Sequence, residues 1–233
     1  MVKCVNFIER LTRMKTTTAI FDMDGLLIDS EPLWHAAAQQ CLSKFNMVIE
    51  EHEYAKTTGL RTKEFLQHWF NVFAVDPANI PAVEREITDC VIAMFNEKGK
   101  MMNGALEALE LVKKTSLKIG LASSSPLALI QAVLQKTNME GVFSVVASAE
   151  HLPFGKPHPQ VFINCAIELG SHPTECICFE DSFNGLLAAK AARMKCIVVP
   201  HPDHFHQSHW SIADLRLDSL LSLKANEFNQ LMA

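Results

Sequence analysis

The feature that most constrains the fold is the alternation of short apolar runs with helical segments along most of the chain. Five apolar runs predict buried β-strands at residues 17–21, 118–122, 143–147, 176–179 and 196–199. Segments whose apolar residues recur at helical spacing separate the last four runs. This order is typical of an α/β protein with a Rossmann-like, doubly wound parallel sheet.

The alternation is interrupted after the first strand, where only helical patterns occur. An apolar stripe over residues 34–45 predicts a helix, with Ser30 as its N-cap and Pro32 in its first turn. Further helices are predicted at residues 63–73 and 83–96. The predicted parts are a core domain at 15–33 and 103–233, an inserted helical cap domain at 34–102, and an N-terminal tail at 1–14.

Composition narrows the class of protein. The 233 residues carry a formal net charge of −5, which gives no general attraction to nucleic acid or to an anionic membrane. The seven cysteines are scattered without zinc-ribbon spacing, so we expect reduced thiols in a cytoplasmic protein. No apolar run near the N-terminus is long enough for a signal peptide or a membrane span. A monomer is the expected state.

Polar side chains follow the predicted strands at the edge where parallel sheets bind ligands. They are Asp22, Asp24, Ser123, Ser124, Glu180 and Asp181, and Lys156 lies in the loop after the third strand. Any one of the carboxylates could simply cap the helix that follows it. Four carboxylates at one edge would repel one another without a cation, and such oxygen ligands suit Mg²⁺. Lys156 and Ser123 would offer a charge and a hydroxyl donor to a phosphate group.

These residues resemble the four motifs of the haloacid dehalogenase-like (HAD) hydrolases, over nearly the whole chain. The motifs are Asp22-Met-Asp24-Gly25, Ser123 at a strand end, Lys156 within Gly-Lys-Pro-His-Pro, and Glu180-Asp181-Ser182-x-Asn184-Gly185. The longer run from Asp22 to Pro32 resembles the branch whose helical cap is inserted after the first motif. Within that branch the chain is similar to bacterial sugar and hexitol phosphatases, including those acting on 2-deoxyglucose 6-phosphate.

The resemblance implies a Mg²⁺-dependent phosphatase that acts on a small phosphorylated metabolite. Asp22 would attack phosphorus to form an aspartyl-phosphate, and Asp24 would serve as general acid and then general base. Asp22, the backbone carbonyl of Asp24, and Asp181 would bind Mg²⁺, while Glu180 would bind either the ion or its water. Ser123, Ser124 and Lys156 would bind the phosphate.

One departure from the family pattern bears on whether the protein is a phosphatase or a phosphomutase. Related β-phosphoglucomutases carry a histidine twelve residues after the nucleophile, whereas Trp34 occupies that position here and His35 lies one step further. This favours a phosphatase over a phosphomutase. A non-catalytic binding protein is the alternative from another class, and the intact motifs argue against it.

Three other features remain open from the sequence. Arg61, after a break between cap helices, either binds substrate or is a solvated residue at a helix start. Asn184 either orients a phosphate or caps the helix after Asp181. Four histidines between His201 and His209 fit no structural zinc pattern, so a solvated loop is expected there.

Overall fold

The computed structural model describes residues 15–54, 57 and 59–232. The predicted N-terminal tail lies outside these residues. The core is one six-stranded sheet in which every strand pair is parallel. Its strands are β1 (Thr18–Phe21), β2 (Lys118–Ser123), β3 (Val145–Ser148), β4 (Cys176–Glu180), β5 (Lys195–Val198) and β6 (Leu215–Arg216). The predicted doubly wound α/β fold is confirmed, and β6 is an additional edge strand that was not predicted.

Nine α-helices surround the sheet in the described part of the chain. They are α1 (Glu31–Leu42), α2 (Glu51–Tyr54), α3 (Thr62–Val72), α4 (Ile80–Lys98), α5 (Ala105–Lys113), α6 (Leu127–Lys136), α7 (Gln160–Glu168), α8 (Phe183–Ala191) and α9 (Ala225–Met232). Helices α5 and α9 were not predicted. None of the helices in the described ranges combines the length and apolar character needed to span a bilayer.

The strand order β3-β2-β1-β4-β5-β6 places β1 in the interior of the sheet. Phe21, at the end of β1, pairs in register with Leu121 on one side and Phe179 on the other. Because all strands point the same way, the residues after β1, β2 and β4 emerge side by side at one edge. The register therefore brings together chain segments that are about a hundred residues apart.

Alternate residues of the strands enter two separate cores, as expected for a sheet that is covered on both faces. Ala19 and Phe21 belong to the core that also contains α5, α6 and the helices inserted after β1. Ile20 and Cys178 belong to the opposite core, beneath α7 and α8. The six cysteines in the described ranges are all free thiols.

Helices α1 to α4, which we call the inserted helices, form a layer that packs against one end of the core. Helix α4 contacts α1 and α3, and it also packs against α6 of the core. The predicted cap therefore corresponds to an all-helical segment, although α1 begins at Glu31, before the expected boundary. The division into separate domains at residues 34 and 102 stays a prediction.

The helix start at Ser30 corrects one expectation. Ser30 occupies the N-cap position of α1, but its hydroxyl makes no capping hydrogen bond. It donates instead to Asp24 Oδ1 at 2.8 Å. Donation to this charged acceptor turns the hydroxyl toward the edge of the sheet, and its oxygen accepts no N–H of the helix.

Two aromatic rings pack on each other beneath this edge of the sheet, and we expect their contact to contribute to the stability of the protein. Phe179 is fully buried, and its ring stacks on that of Phe21 with centroids 4.2 Å apart. We expect Phe179→Ala to lower the free energy of unfolding by about 3–5 kcal/mol, because it removes apolar contact and leaves a cavity. The matched control is Phe154→Ala, at a side chain that is 62% exposed. Urea denaturation followed by circular dichroism would measure both, and equal effects would contradict this account of the core.

Candidate active site

A buried lysine lies at the centre of the carboxyl edge. The ammonium group of Lys156 donates to Asp22 Oδ1 at 2.5 Å, to Glu180 Oε1 at 2.6 Å and to the carbonyl of Ala122 at 3.2 Å. Its side chain is only 2% exposed. Burial alone would lower the pKa of Lys156, but the two carboxylates outweigh it and raise that pKa above its usual range. Lys156 is therefore a fixed cation that connects β1, β2 and β4.

Glu180 is held on both of its oxygens. While Oε1 accepts from Lys156, Oε2 accepts from the backbone N–H groups of Asp181 and Ser182 and from the Ser182 hydroxyl, at 3.0 to 3.1 Å. A Cβ at Gly185 would lie 1.8 Å from Glu180 Oε1, so only glycine leaves room for this carboxylate. These contacts favour a role in positioning Lys156 and the start of α8.

Three carboxylates are close enough together to hold one cation. Ligand oxygens of Asp22, Glu180 and Asp181 all lie within 4.8 Å of one another. Burial raises the pKa of Asp22 to about 8 despite the opposing attraction of Lys156. Burial and the neighbouring carboxylates also raise the pKa of Asp181 well above its usual value. A divalent cation would relieve this electrostatic cost, so the donor set fits a hard ion such as Mg²⁺.

Asp24 is surrounded by hydrogen-bond donors. Oδ1 accepts from the Ser30 hydroxyl at 2.8 Å and from the indole N–H of Trp34 at 2.9 Å. Oδ2 accepts from the hydroxyls of Ser125 at 2.7 Å and Ser123 at 3.2 Å. The sequence predicted a role for Ser123 but missed Ser30, Trp34 and Ser125 as partners of Asp24. The Ser-Ser-Ser run after β2 was the available signal for Ser125.

Arg61 lines the cleft, but its guanidinium group is used to dock the inserted helices onto the core. Nη1 donates to the carbonyls of Ala149 and Leu152 at 3.0 and 2.6 Å. Nη2 donates to Glu64 Oε1 at 2.6 Å and to the carbonyl of Pro153 at 3.3 Å. Glu64 in turn accepts from the N–H of Gly155, next to Lys156. The solvated alternative for Arg61 is wrong, since the residue is only 8% exposed.

The remaining predicted residues lie at the contact between the inserted helices and the core. The Ser124 hydroxyl donates to the carbonyl of Gly59 at 3.4 Å. Ser182, rather than Asn184, is the N-cap of α8, because its hydroxyl accepts from the N–H of Gly185 at 3.0 Å. The capping alternative for Asn184 is therefore wrong. A phosphate contact by Asn184 stays a prediction.

A cleft that opens to solvent, with about 730 Å³ of empty space including its open part, separates the carboxyl edge from the inserted helices. Asp22, Asp24, Lys156 and Asp181 lie on its core side. The opposite side includes the predicted Arg61 together with Trp34, and three residues to which the sequence assigned no role, namely Glu31, Tyr54 and Phe65. Sequence reasoning missed Glu31 and Tyr54 because nothing in the helical pattern distinguishes a side chain that faces a cleft from one that faces solvent.

Comparisons with known proteins agree with this arrangement. The sequence model of the family described as haloacid dehalogenase-like hydrolase matches residues 19–199. The chain belongs to this family, as its four motifs predicted. It is 41% identical to hexitol phosphatase B of Escherichia coli K12 over 221 residues, which are 93% of this chain and 98% of that protein. The chain is a hydrolase of the family, and its relatives support phosphatase activity.

Solved structures show the same fold. CbbY from Rhodobacter sphaeroides, in complex with phosphate, has a TM-score of 0.81 and 26% identity, covering 89% of this chain and 96% of that one. A β-phosphoglucomutase from Clostridium difficile has a TM-score of 0.83 at 24% identity, covering 92% of this chain and 96% of that one. The second likeness concerns the fold alone.

The glycine that follows Asp24 offers a test of the cation site. A Cβ at Gly25, whose φ is +72°, would lie 2.1 Å from Asp181 Oδ2. We expect Gly25→Ala to displace this carboxylate and to weaken Mg²⁺ binding about tenfold or more, the usual cost of losing a contact that orients a ligand. Isothermal titration calorimetry would measure the affinity.

Gly141→Ala is the matched control for this substitution. Gly141 also has a left-handed backbone, with φ at +77°, but no atom lies within 4 Å of the position of its Cβ. Both variants should lose similar stability, about 1 kcal/mol, from the strained backbone. Equal Mg²⁺ affinity in the two variants would show that the close approach of Gly25 does not position Asp181.

Proposed function

We propose that this protein is a Mg²⁺-dependent phosphatase of hexitol or hexose monophosphates, acting through an aspartyl-phosphate on Asp22. The observation that carries the proposal is the buried contact between Lys156 and Asp22, inside a carboxylate cluster on the core side of the cleft. A carboxylate that is fixed by a cation next to a candidate metal site fits a nucleophile for a phosphate ester. The 41% identity to hexitol phosphatase B supports the substrate class.

In the first step, Asp22 acts as the nucleophile and Asp24 acts as the general acid. Lys156 holds Oδ1 of Asp22, so the other oxygen is the one we assign to attack. A bond forms between this oxygen and phosphorus as the bond from phosphorus to the sugar oxygen breaks, and the leaving oxygen takes a proton from Asp24. Bound Mg²⁺ would screen the negative charges of Asp22 and the phosphate. The residues proposed to hold it are Asp22, Asp181 and the backbone carbonyl of Asp24.

The second step releases phosphate. Asp24 takes a proton from water as the water oxygen bonds to phosphorus, and the bond between phosphorus and Asp22 breaks. The four donors that surround Asp24 hold its carboxylate in position for this step.

Trp34 occupies the position that carries a histidine in the related mutases, and this residue favours hydrolysis. The indole of Trp34 can donate its N–H but cannot accept a proton, so it cannot relay one to or from a substrate hydroxyl. Its contact with Asp24 holds the general base. An assay for isomerisation of β-glucose 1-phosphate tests the mutase alternative. Turnover of any phosphate ester would exclude a non-catalytic binding role.

The mechanism predicts strict dependence on Mg²⁺ and on Asp22. Phosphate release from a panel of sugar, polyol and nucleotide monophosphates should favour hexitol and hexose phosphates and should stop when EDTA is added. Asp22→Asn should abolish turnover on every substrate without unfolding, because an amide is a poor nucleophile. Asp203→Asn, at an exposed loop carboxylate, is the control and should retain activity. Activity retained in Asp22→Asn would exclude Asp22 as the nucleophile.

A second prediction concerns the docking role that we propose for Arg61. Arg61→Ala should reduce kcat/KM by a similar factor on all substrates, about tenfold to a hundredfold, because the loop that carries Lys156 loses its anchor. Arg85→Ala, at an exposed arginine on α4, is the matched control. A loss that depends strongly on the substrate would instead support direct contact between Arg61 and the substrate.

A further inference from the structure

The cleft extends beyond the reacting groups to a region built by α1 and α2. Glu31 is the first residue of α1, and Tyr54 is the last residue of α2. Both line the same cleft as Asp22 and Asp24. The ring of Tyr54 is held against His35 and Phe65, with centroids 4.7 and 5.4 Å apart. Its phenol is therefore anchored by packing on a helical scaffold.

Glu31 and Tyr54 are polar groups whose hydrogen-bonding capacity is unused in the described part of the chain. No hydrogen bond joins the carboxyl of Glu31 or the hydroxyl of Tyr54 to another described residue, although each side chain is partly buried. Burial, followed by the charges of Asp24 and Asp29, raises the pKa of Glu31 to about 7. Burial and the charge of Glu31 raise the pKa of Tyr54. Partly desolvated polar groups gain most from a ligand that supplies hydrogen bonds.

Among the described residues that line the cleft, the cations have most of their donors in use, and only Arg61 Nε is without a partner. Among the described residues that line it, Lys156 and Arg61 are the positively charged ones. Lys156 is bound to two carboxylates, and Arg61 is bound to Glu64 and to three backbone carbonyls. A second anionic group on the substrate would therefore meet carboxylates rather than a free cation. Uncharged hydroxyl groups carry no such penalty.

We infer that Glu31 and Tyr54 bind hydroxyl groups of the leaving alcohol and select a neutral polyol over one with a second charge. This inference rests on the proposed phosphatase function and assigns its selectivity to two residues. Glu31 accepts hydrogen bonds from substrate hydroxyls, and the Tyr54 hydroxyl either donates or accepts. A site that is built to bind hydroxyls discriminates strongly against a ligand that lacks them, because its own polar groups then stay unpaired.

Three phosphate esters separate the effect of hydroxyl groups on the leaving alcohol from the effect of a second charge. Sorbitol 6-phosphate and 6-phosphogluconate share a six-carbon chain and differ at the end remote from phosphate, where one has an alcohol and the other a carboxylate. p-Nitrophenyl phosphate has no hydroxyl on its leaving group. The wild-type protein should show a kcat/KM for sorbitol 6-phosphate at least about tenfold above that for 6-phosphogluconate, because like charges disfavour the carboxylate.

Tyr54→Phe and Glu31→Gln test the two residues with little change in volume. Each should lower the ratio of kcat/KM for sorbitol 6-phosphate to that for p-nitrophenyl phosphate by about tenfold, because Tyr54→Phe removes a hydrogen bond to substrate and Glu31→Gln replaces a charged acceptor by a weaker neutral one. Above pH 7, where Glu31 is ionised, Glu31→Gln should also narrow the gap between sorbitol 6-phosphate and 6-phosphogluconate. Glu97→Gln, an exposed residue on α4, is the charge-matched control and should keep wild-type ratios.

The outcomes distinguish this inference from the proposed function. Unchanged ratios in both variants, or equal wild-type turnover of sorbitol 6-phosphate and 6-phosphogluconate, would overturn the selectivity role and leave the phosphatase intact. No wild-type hydrolysis of any of the three esters would overturn the proposed function itself. Thermal unfolding of each variant verifies that it is folded before its ratios are compared.

Discussion

The ion pairs of Lys156 are the interactions on which the rest of the site depends. Taking one ammonium and two carboxylates out of water is costly, and removing one partner of such a buried pair typically costs about 3–5 kcal/mol. The parallel sheet makes this arrangement possible, because β1 and β4 are neighbours and deliver Asp22 and Glu180 to the same point. The surrounding N–H and hydroxyl groups on Glu180 satisfy its second oxygen. The fold therefore stabilises a charge cluster that would repel itself in isolation.

The inserted helices are connected to this cluster through the loop that carries Lys156. Arg61 and Glu64, at the start of α3, bind backbone groups between Ala149 and Gly155. The position of the inserted helices on the core and the position of Lys156 are thus coupled through a few hydrogen bonds. The same helices supply Glu31, Trp34 and Tyr54 to the cleft. A single inserted segment accordingly contributes both to the shape of the reacting centre and to the surroundings of the leaving group.

The sequence predicted the strands and most of the helices well, for a physical reason. A strand buried on both faces must be apolar throughout, and a helix on its surface must be apolar on one face only, so both leave a period that can be read. Helix α9 and strand β6 are short and escaped notice, and α5 lies between the predicted cap and β2, where no element was predicted. Ser30 shows the limit of local rules, since a carboxylate six residues earlier in the chain takes the hydroxyl expected to cap the helix.

By itself, the sequence determined the chemical composition of the site. Asp22, Asp24, Ser123, Lys156, Glu180 and Asp181 follow strand signals, and parallel strands end at one edge. Only the tertiary structure decided how these groups are used. It pairs Lys156 with Glu180 as well as Asp22, surrounds Asp24 with donors from two segments, and engages Arg61 with backbone carbonyls. Distances between residues far apart in the chain depend on packing and register, and neither is written in the local pattern of residues.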